Sequence, residues 1–392
     1  MGRDYRAISA DSHLEIPGDR WVHRVPKEYR DLAPKRVSLP GGGEAHLIEG
    51  QPPRVEAERS LRTRGIRLQA RGSWESNDGG GPPEQRLSEQ DLDGIDAEVL
   101  FPGTTGGPNY WRTGIKDDEV YADVVAAYNA WLAEEYCAVA PDRLIGVGVI
   151  PEVDARTAVA ELEHCAQAGL KAVQLISFPS GKMYPTPEDD VFWAAASETN
   201  VALTLHVEFR GGAAGKYEGP LFQYEKRPEG PVKASHSDPI SRFITGFGTK
   251  ASRDVVRLVY AGVFDRFPAL RIYCAETQIG WIPMWLQEVD DAFERHFYWA
   301  EDMYGMKKLQ RLPGDYVKEH FMWGFMKDPY GVSQRHRIGV DHVMWESDFP
   351  HSPTDWPYSQ ETIEKNFVGV PEEERHMMLA GNAVGFFHLV AE

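Results

Sequence analysis

The chain has 392 residues, of which 42% are hydrophobic and 11% are aromatic. This composition is typical of a folded protein with a large core and excludes a disordered chain. The formal net charge of −18 at pH 7 argues against nucleic acid and anionic membrane surfaces as partners, because both would repel the protein.

The cysteine pattern and the N-terminus predict a cytoplasmic protein. Cys137, Cys165 and Cys274 lie in apolar or helical stretches without CxxC spacing, which predicts reduced thiols rather than disulfides. We find neither the apolar segment of a signal peptide nor a run of about 18 apolar residues that could span a membrane. The expected partner is therefore a small-molecule substrate.

Short apolar segments alternate with longer helical stretches, a pattern typical of repeated βα units. The predicted strands are Ala7–Ala10, Ala97–Phe101, Leu144–Ile150, Ala172–Ile176, Ala202–His206, Arg271–Ala275 and His342–Trp345. The predicted helices are Asp118–Tyr136, Asp154–Ala168, Ser252–Ala261, Trp281–Phe297 and Glu372–His388. Continuous apolar strands between helices predict a parallel sheet covered on both faces. The number of strands favours a closed (β/α)8 TIM barrel over an open doubly wound sheet.

Two regions interrupt the βα repeat, and we predict that they are loop insertions in a single domain spanning residues 1–392. The first runs from about residue 34 to 89 and is rich in Gly, Pro and Arg; the second covers about residues 210–250. Long irregular loops in compact domains often serve as lids or binding loops.

Candidate metal ligands stand at the ends of three predicted strands. Asp11 and His13 are two residues apart after the first strand, so their side chains point the same way. His206 ends the strand ALTLH, and Asp348 follows the strand HVMW. Each residue alone has an ordinary structural explanation, such as a helix cap or a loop anchor. Together they predict one divalent metal at the C-terminal mouth of the barrel, Zn or Mn, with Fe as an alternative.

Four segments in this order resemble the amidohydrolase-related family typified by aminocarboxymuconate-semialdehyde decarboxylase. They are ADSHLEIP, LTLHVEF, GVFDRFPALRIYCAETQIGWIPMWLQEVD and GVDHVMWESDFPHSPTDWP. The resemblance covers nearly the whole chain. It implies a TIM barrel with one catalytic metal and, by motif position, the ligands Asp11, His13, His206 and Asp348.

The chain departs from the pattern of that family at two places. Many members begin with HxH or ExH, where this chain has Asp11-Ser12-His13. The decarboxylases of the family carry a histidine acid/base after RFPxL and a short strand, whereas this chain has Glu276 in CAETQIGW. A glutamate there can transfer a proton, add a fifth ligand or bridge a second metal. The sequence therefore does not decide whether the site holds one metal ion or two.

Further candidates surround the predicted ligands. We predict Asp348, Glu276 and His351 as catalytic residues. The predicted substrate-binding residues are Trp281, Trp356, Arg64, His236 and Glu208. For each of these there is an ordinary alternative, such as a core indole, a solvated loop side chain or a loop-structuring contact.

Two reactions fit these residues. In hydrolysis, a water activated by the metal attacks a carbonyl carbon while Asp348 or Glu276 transfers the proton. In the non-oxidative decarboxylation of an aromatic or related acid, a side-chain acid protonates the ring carbon. The family favours decarboxylation, but Glu276 favours hydrolysis. We predict a hydrolase that acts on a small cyclic or aromatic carboxylate or carbonyl compound. A barrel that binds a metal and a ligand without catalysis is a further alternative. The expected assembly is a homodimer.

Overall fold

The computed structural model describes residues 3–16, 18–38, 44–48, 54–55, 79–103, 111–112, 114–182, 184–209, 247–304, 308–351 and 353–390. Its strands are β1 (Ile8–Leu14), β2 (Lys35–Ser38), β3 (Glu44–Leu47), β4 (Arg54–Val55), β5 (Ala97–Pro102), β6 (Leu144–Ile150), β7 (Ala172–Leu175), β8 (Ala202–His206), β9 (Ile272–Ala275), β10 (Phe321–Phe325) and β11 (Val343–Trp345).

Eight of these strands form one parallel sheet in the order β1-β5-β6-β7-β8-β9-β10-β11. The sheet curls so that the segment after β11 returns to β1. There the Asp348 N–H donates to the Asp11 carbonyl at 2.9 Å, and the His13 N–H donates to the Phe349 carbonyl at 2.7 Å. These two hydrogen bonds join the first and last strands at their C-terminal ends, and the predicted TIM barrel is confirmed.

Helices pack around this barrel. They are α1 (Pro83–Asp93), α2 (Asp118–Trp131), α3 (Ala155–Ala168), α4 (Asp190–Glu198), α5 (Ala251–Tyr260), α6 (Val263–Arg266), α7 (Ile282–Tyr304), α8 (Pro313–His320), α9 (Pro329–Ser333), α10 (Arg335–Ile338), α11 (Ser359–Asn366), α12 (Glu372–His376) and α13 (Asn382–Phe386). Capping residues in the sequence determine where several of these helices begin and end. The Asp154 side chain caps α3 by accepting from two backbone N–H groups, and Gly169 ends the helix at φ 89°.

The structure differs from the predicted elements at several places, including the predicted helix Asp118–Tyr136, which ends as an α-helix at Trp131 and continues as a π-helical turn over Leu132–Tyr136. Strand β10 was not predicted, and it completes the barrel between β9 and β11. The predicted helix Glu372–His388 is divided into α12, a π-helical turn at Met377–Gly381 and α13. Strands β2, β3 and β4 form a small antiparallel sheet in the region predicted as the first insertion. Among the described residues, no helix is both long and apolar enough to cross a membrane.

His320, at the end of α8, is a buried histidine outside the barrel mouth. Its Nδ1–H donates to the Leu270 carbonyl at 2.8 Å, and its ring stacks on Phe264 with the centroids 4.4 Å apart. Nε2 is buried without a hydrogen-bond partner among the described residues. Burial therefore lowers the pKa of His320 below its ordinary value.

We expect His320 to make the fold sensitive to acid. Its contribution to stability is complete above the pKa of the unfolded chain, about 6.5, and is lost as the pH falls toward the lower pKa of the folded state. One such group changes the free energy of unfolding by at most about 1.4 kcal/mol per pH unit. Urea unfolding at several pH values should show a weaker pH dependence for His320→Gln than for the wild type. Equal dependence in both proteins would contradict this role.

Candidate metal centre and active site

The C-terminal end of β1 carries the first two candidate ligands. The pairing of β1 with β5 shifts register between Ser9 and Ser12, and such a bulge re-aims the side chains of a strand. The Ser9 hydroxyl donates to the Asp11 carbonyl at 2.8 Å and receives the Ser347 N–H at 2.8 Å. This hydroxyl ties β1 to the segment after β11, so both segments meet at one point of the mouth.

The four predicted ligands come together at this mouth. His13 Nε2 lies 3.4 Å from an oxygen of Asp11 and 3.4 Å from an oxygen of Asp348. His206 Nε2, at the end of β8, lies 3.0 Å from His13 Nε2 and 3.2 Å from the second oxygen of Asp11. Asp11, His13 and His206 form one group whose ligand atoms could hold a cation, and His13, Asp348 and His351 form a second group that shares His13 with the first.

The donor atoms of this cluster fit a divalent cation. Both oxygens of Asp11 and Oδ2 of Asp348 are buried and have no hydrogen-bond partner among the described residues, an arrangement that is costly for a carboxylate unless it binds a cation. His13 Nδ1 donates to the Pro102 carbonyl at 3.0 Å, so the lone pair of Nε2 faces the cluster. Burial, His351 and His206 hold the pKa of His13 well below its ordinary value. His13 is therefore neutral, which is the form that ligates metals.

His351 lies between two carboxylates at the edge of the cluster. Its Nδ1 is 2.9 Å from Asp348 Oδ1, and its Nε2 is 2.9 Å from Glu15 Oε1. The imidazole ring lies over the ring of His13 with the centroids 3.9 Å apart. Burial alone would lower the pKa of His351, but Asp348 and Glu15 raise it well above the ordinary value. A protonated His351 can donate to both carboxylates and fix the orientation of Asp348.

Glu276 directly follows β9 and points toward the same cluster. Its Oε2 is 3.8 Å from His206 Nε2, and the residue is only 7% exposed. Burial, followed by the charges of Asp348 and Asp11, raises the pKa of Glu276 well above its ordinary value. The backbone of Glu276 is left-handed at φ 57°, as is that of Asp348 at φ 54°. Such conformations are uncommon for residues other than glycine and concentrate at functional sites.

Two buried residues near the site were not predicted from the sequence. Glu346 accepts the Tyr273 hydroxyl at 2.7 Å and the Glu276 N–H at 3.0 Å. Arg86 on α1 pairs with Glu98 at 2.6 Å and donates to the Phe349 carbonyl at 3.3 Å. The sequence did contain a clue to Glu346, because this residue stands two positions before the predicted ligand Asp348 in WESDFP. No comparable signal marked Arg86, which lies in the region predicted as an insertion.

The predicted substrate-binding residues are more scattered. Trp281 packs against other indoles and donates to the Thr277 carbonyl at 2.9 Å. Trp356 is buried, with its ring beside Phe349 and its N–H on the Glu89 carbonyl at 3.1 Å.

Glu208, in the turn after β8, accepts from Lys250 at 3.1 Å. No described side-chain contact of Trp281, Trp356 or Glu208 involves a candidate metal ligand. Arg64 and His236 lie outside the described residues. Substrate contact by these five residues stays a prediction.

Comparison with known proteins places most of the chain in a family. The family profile described as "Amidohydrolase" matches residues 19–389. Decarboxylase orsB of Emericella nidulans is 24% identical over 271 residues, which cover 68% of this chain and 73% of that protein. Gamma-resorcylate decarboxylase of Rhodococcus jostii is 26% identical over 255 residues, which cover 60% of this chain and 69% of that protein.

A solved structure with the same fold is 5-carboxyvanillate decarboxylase of Novosphingobium aromaticivorans, complexed with manganese and 4-hydroxy-3-methoxy-5-nitrobenzoic acid. It superposes with a TM-score of 0.65 at 19% identity, over 98% of this chain and 96% of that one. At this identity the similarity establishes a common fold. The resemblance predicted from the sequence is confirmed.

Proposed function

Because the chain belongs to the amidohydrolase family, we propose that this enzyme is a metal-dependent, non-oxidative decarboxylase of an aromatic carboxylic acid. The proposal takes the alternative reaction from the sequence in preference to the predicted hydrolysis, since the named relatives are decarboxylases. The observation that carries this choice is that both relatives are named decarboxylases, and we assign the proton transfer to Glu276, a buried carboxyl group 3.8 Å from His206 at the edge of the candidate metal cluster.

The proposed substrates are benzoic acids with a hydroxyl group next to the carboxylate. Such a compound offers a cation two oxygen atoms at once. The relatives are named for gamma-resorcylate and 5-carboxyvanillate. These names support the substrate class for this chain without specifying its substituents.

Asp11, His13, His206 and Asp348 would hold the divalent ion. Manganese is the ion we propose, because imidazole and carboxylate donors without thiolate suit it and a structure with the same fold contains it. When bound, the ion would polarise oxygens of the substrate and stabilise negative charge on them. His351 would hold Asp348 in place through the hydrogen bond at 2.9 Å.

Glu276 would supply the proton. Its carboxyl group would protonate the ring carbon that carries the carboxylate. The bond between that carbon and the carboxylate then breaks, its electron pair returns to the ring, and carbon dioxide leaves. Solvent returns the proton to Glu276. The side chain is nearly buried, so few water molecules compete with the ring carbon for this proton.

The decisive experiment uses the manganese-reconstituted enzyme in D₂O with a panel of hydroxybenzoic acids and, separately, aryl esters and lactones. We expect release of carbon dioxide and a phenolic product with one deuterium on the vacated ring carbon, measured by NMR and mass spectrometry. Hydrolysis of an ester or lactone without release of carbon dioxide would support the hydrolase instead. Tight binding without turnover of any compound would support a binding barrel.

A further inference from the structure

We propose that Glu346 is a positioning residue that holds Glu276 in its working orientation. The inference rests on the proposed function, because it concerns the carboxyl group assigned there as the proton donor. Glu346 is the first residue after β11 and is fully buried. It belongs to neither of the residue groups that could hold a cation. We therefore assign it an action through Glu276 rather than on the substrate.

The hydrogen bonds of Glu346 point to this role. One carboxylate oxygen accepts the backbone N–H of Glu276 at 3.0 Å, and the other accepts the Tyr273 hydroxyl at 2.7 Å. The Glu346 N–H in turn donates to the Phe325 carbonyl at 3.0 Å. Glu346 thus connects the ends of three neighbouring strands, β9, β10 and β11, directly at the residue that carries the reactive carboxyl group.

Strand β10 has a glycine, Gly324, next to the Glu346 carboxylate. A Cβ atom at Gly324 would lie 2.0 Å from Glu346 Oε2 and 2.4 Å from the Tyr273 hydroxyl oxygen. No larger residue can stand there without displacing the pair. The Thr277 hydroxyl also donates to the Gly324 carbonyl at 3.2 Å. Residues at the ends of β9, β10 and β11 therefore leave space for the hydrogen-bonded group that Glu346 forms with the Tyr273 hydroxyl and the Glu276 N–H.

Glu276 needs such support because of its backbone. Its φ of 57° is left-handed, a conformation that a non-glycine residue keeps only where the surroundings hold it. Farther along the same loop, Asp328 accepts the N–H groups of Ile279 and Gly280 at 2.8 and 2.6 Å. Asp328 fixes the far part of the loop, whereas Glu346 fixes Glu276 itself.

The kinetic test combines Glu346→Ala and Glu346→Gln with Glu276→Gln in the manganese enzyme. Glu346→Ala should lower kcat by about 10- to 100-fold, as is usual for residues that orient an active-site group, with KM and metal content unchanged. Glu346→Gln keeps an acceptor for the N–H and should recover most of kcat. In the Glu276→Gln background, Glu346→Ala should cause no further loss, because the two residues act as one unit. Losses that multiply, or a changed metal content, would overturn the inference.

A crystal structure of metal-loaded Glu346→Ala supplies a result that does not depend on activity. We expect Glu276 to leave its left-handed conformation and its carboxyl group to move away from His206. An unchanged Glu276 would refute the positioning role even if decarboxylation is established. Conversely, a displaced Glu276 in an enzyme that decarboxylates no tested acid would refute the proposed function alone. If Glu346→Ala does not fold, Tyr273→Phe removes one of the two hydrogen bonds and is tested for the same non-additivity.

Discussion

Asp348→Asn is expected to abolish binding of the divalent ion and to lower kcat/KM by about 10³-fold or more, since a catalytic metal supplies several kcal/mol of transition-state stabilisation. Oδ2 of Asp348 is buried and has no hydrogen-bond partner among the described residues. An asparagine removes the negative charge there and can place an N–H₂ group toward the cation. Asparagine tolerates the left-handed backbone of residue 348, φ 54°, better than most residues do. The loss should therefore reflect the ligand and not the fold.

Elemental analysis after dialysis and thermal melting with added Mn²⁺ measure this effect. The wild type should retain one equivalent of metal and melt at a higher temperature when Mn²⁺ is present, because an ion that binds only the folded state stabilises it. Asp348→Asn should show neither property. Glu364→Gln is a suitable surface control, since that side chain is 67% exposed and paired with Arg375. One equivalent of tightly bound metal in Asp348→Asn would show that the ion lies elsewhere.

The barrel could be predicted from the sequence because the βα repeat leaves a regular trace of apolar segments. Strand β10 escaped this reasoning. Its sequence, FMWGF, is short, contains Gly324 and directly follows α8 without a turn residue. Glycine weakens the case for a strand. Here it is required because Glu346 and Tyr273 occupy the space where a side chain would lie, a contact that no local pattern reveals.

The candidate ligands could be predicted for a related reason. Asp11, His13, His206 and Asp348 each stand where a predicted strand ends, and parallel strands of a barrel end at one mouth. The residues that support them come from distant parts of the chain. Tyr273 and Glu346 are 73 positions apart, and Arg86 and Phe349 are 263 positions apart. Such contacts depend on how the elements pack, so periodicity and motif spacing do not predict them.

Trp281 has neighbours in the fold that its position in the sequence did not indicate. It stands five positions after Glu276 and is one of the predicted substrate-binding residues. The chain turns at the left-handed residues Glu276 and Gln278, and Trp281 then packs against Trp285 and Trp323 just before α7.

Glu276→Gln is expected to lower kcat by about 10²- to 10⁴-fold, the usual range for the loss of a general acid. The amide has the size of the carboxyl group but cannot donate a proton to carbon. KM should change little, and the metal should be retained at one equivalent, because the candidate ligands are untouched. The rate of carbon dioxide release gives kcat and KM, and elemental analysis of the same preparation gives the metal content.

Glu276→His makes this prediction sharper, because histidine stands at this place in the family that the sequence resembles. Histidine can donate a proton near neutral pH and accepts a left-handed backbone more readily than most residues do. It should therefore recover more of kcat than Glu276→Gln does. Loss of metal in Glu276→Gln would instead identify Glu276 as a ligand, and a fall from two equivalents to one would identify a binuclear centre. Full activity with bound metal would mean that another group delivers the proton, and His351, the other predicted catalytic residue beside the cluster, would be the next to substitute.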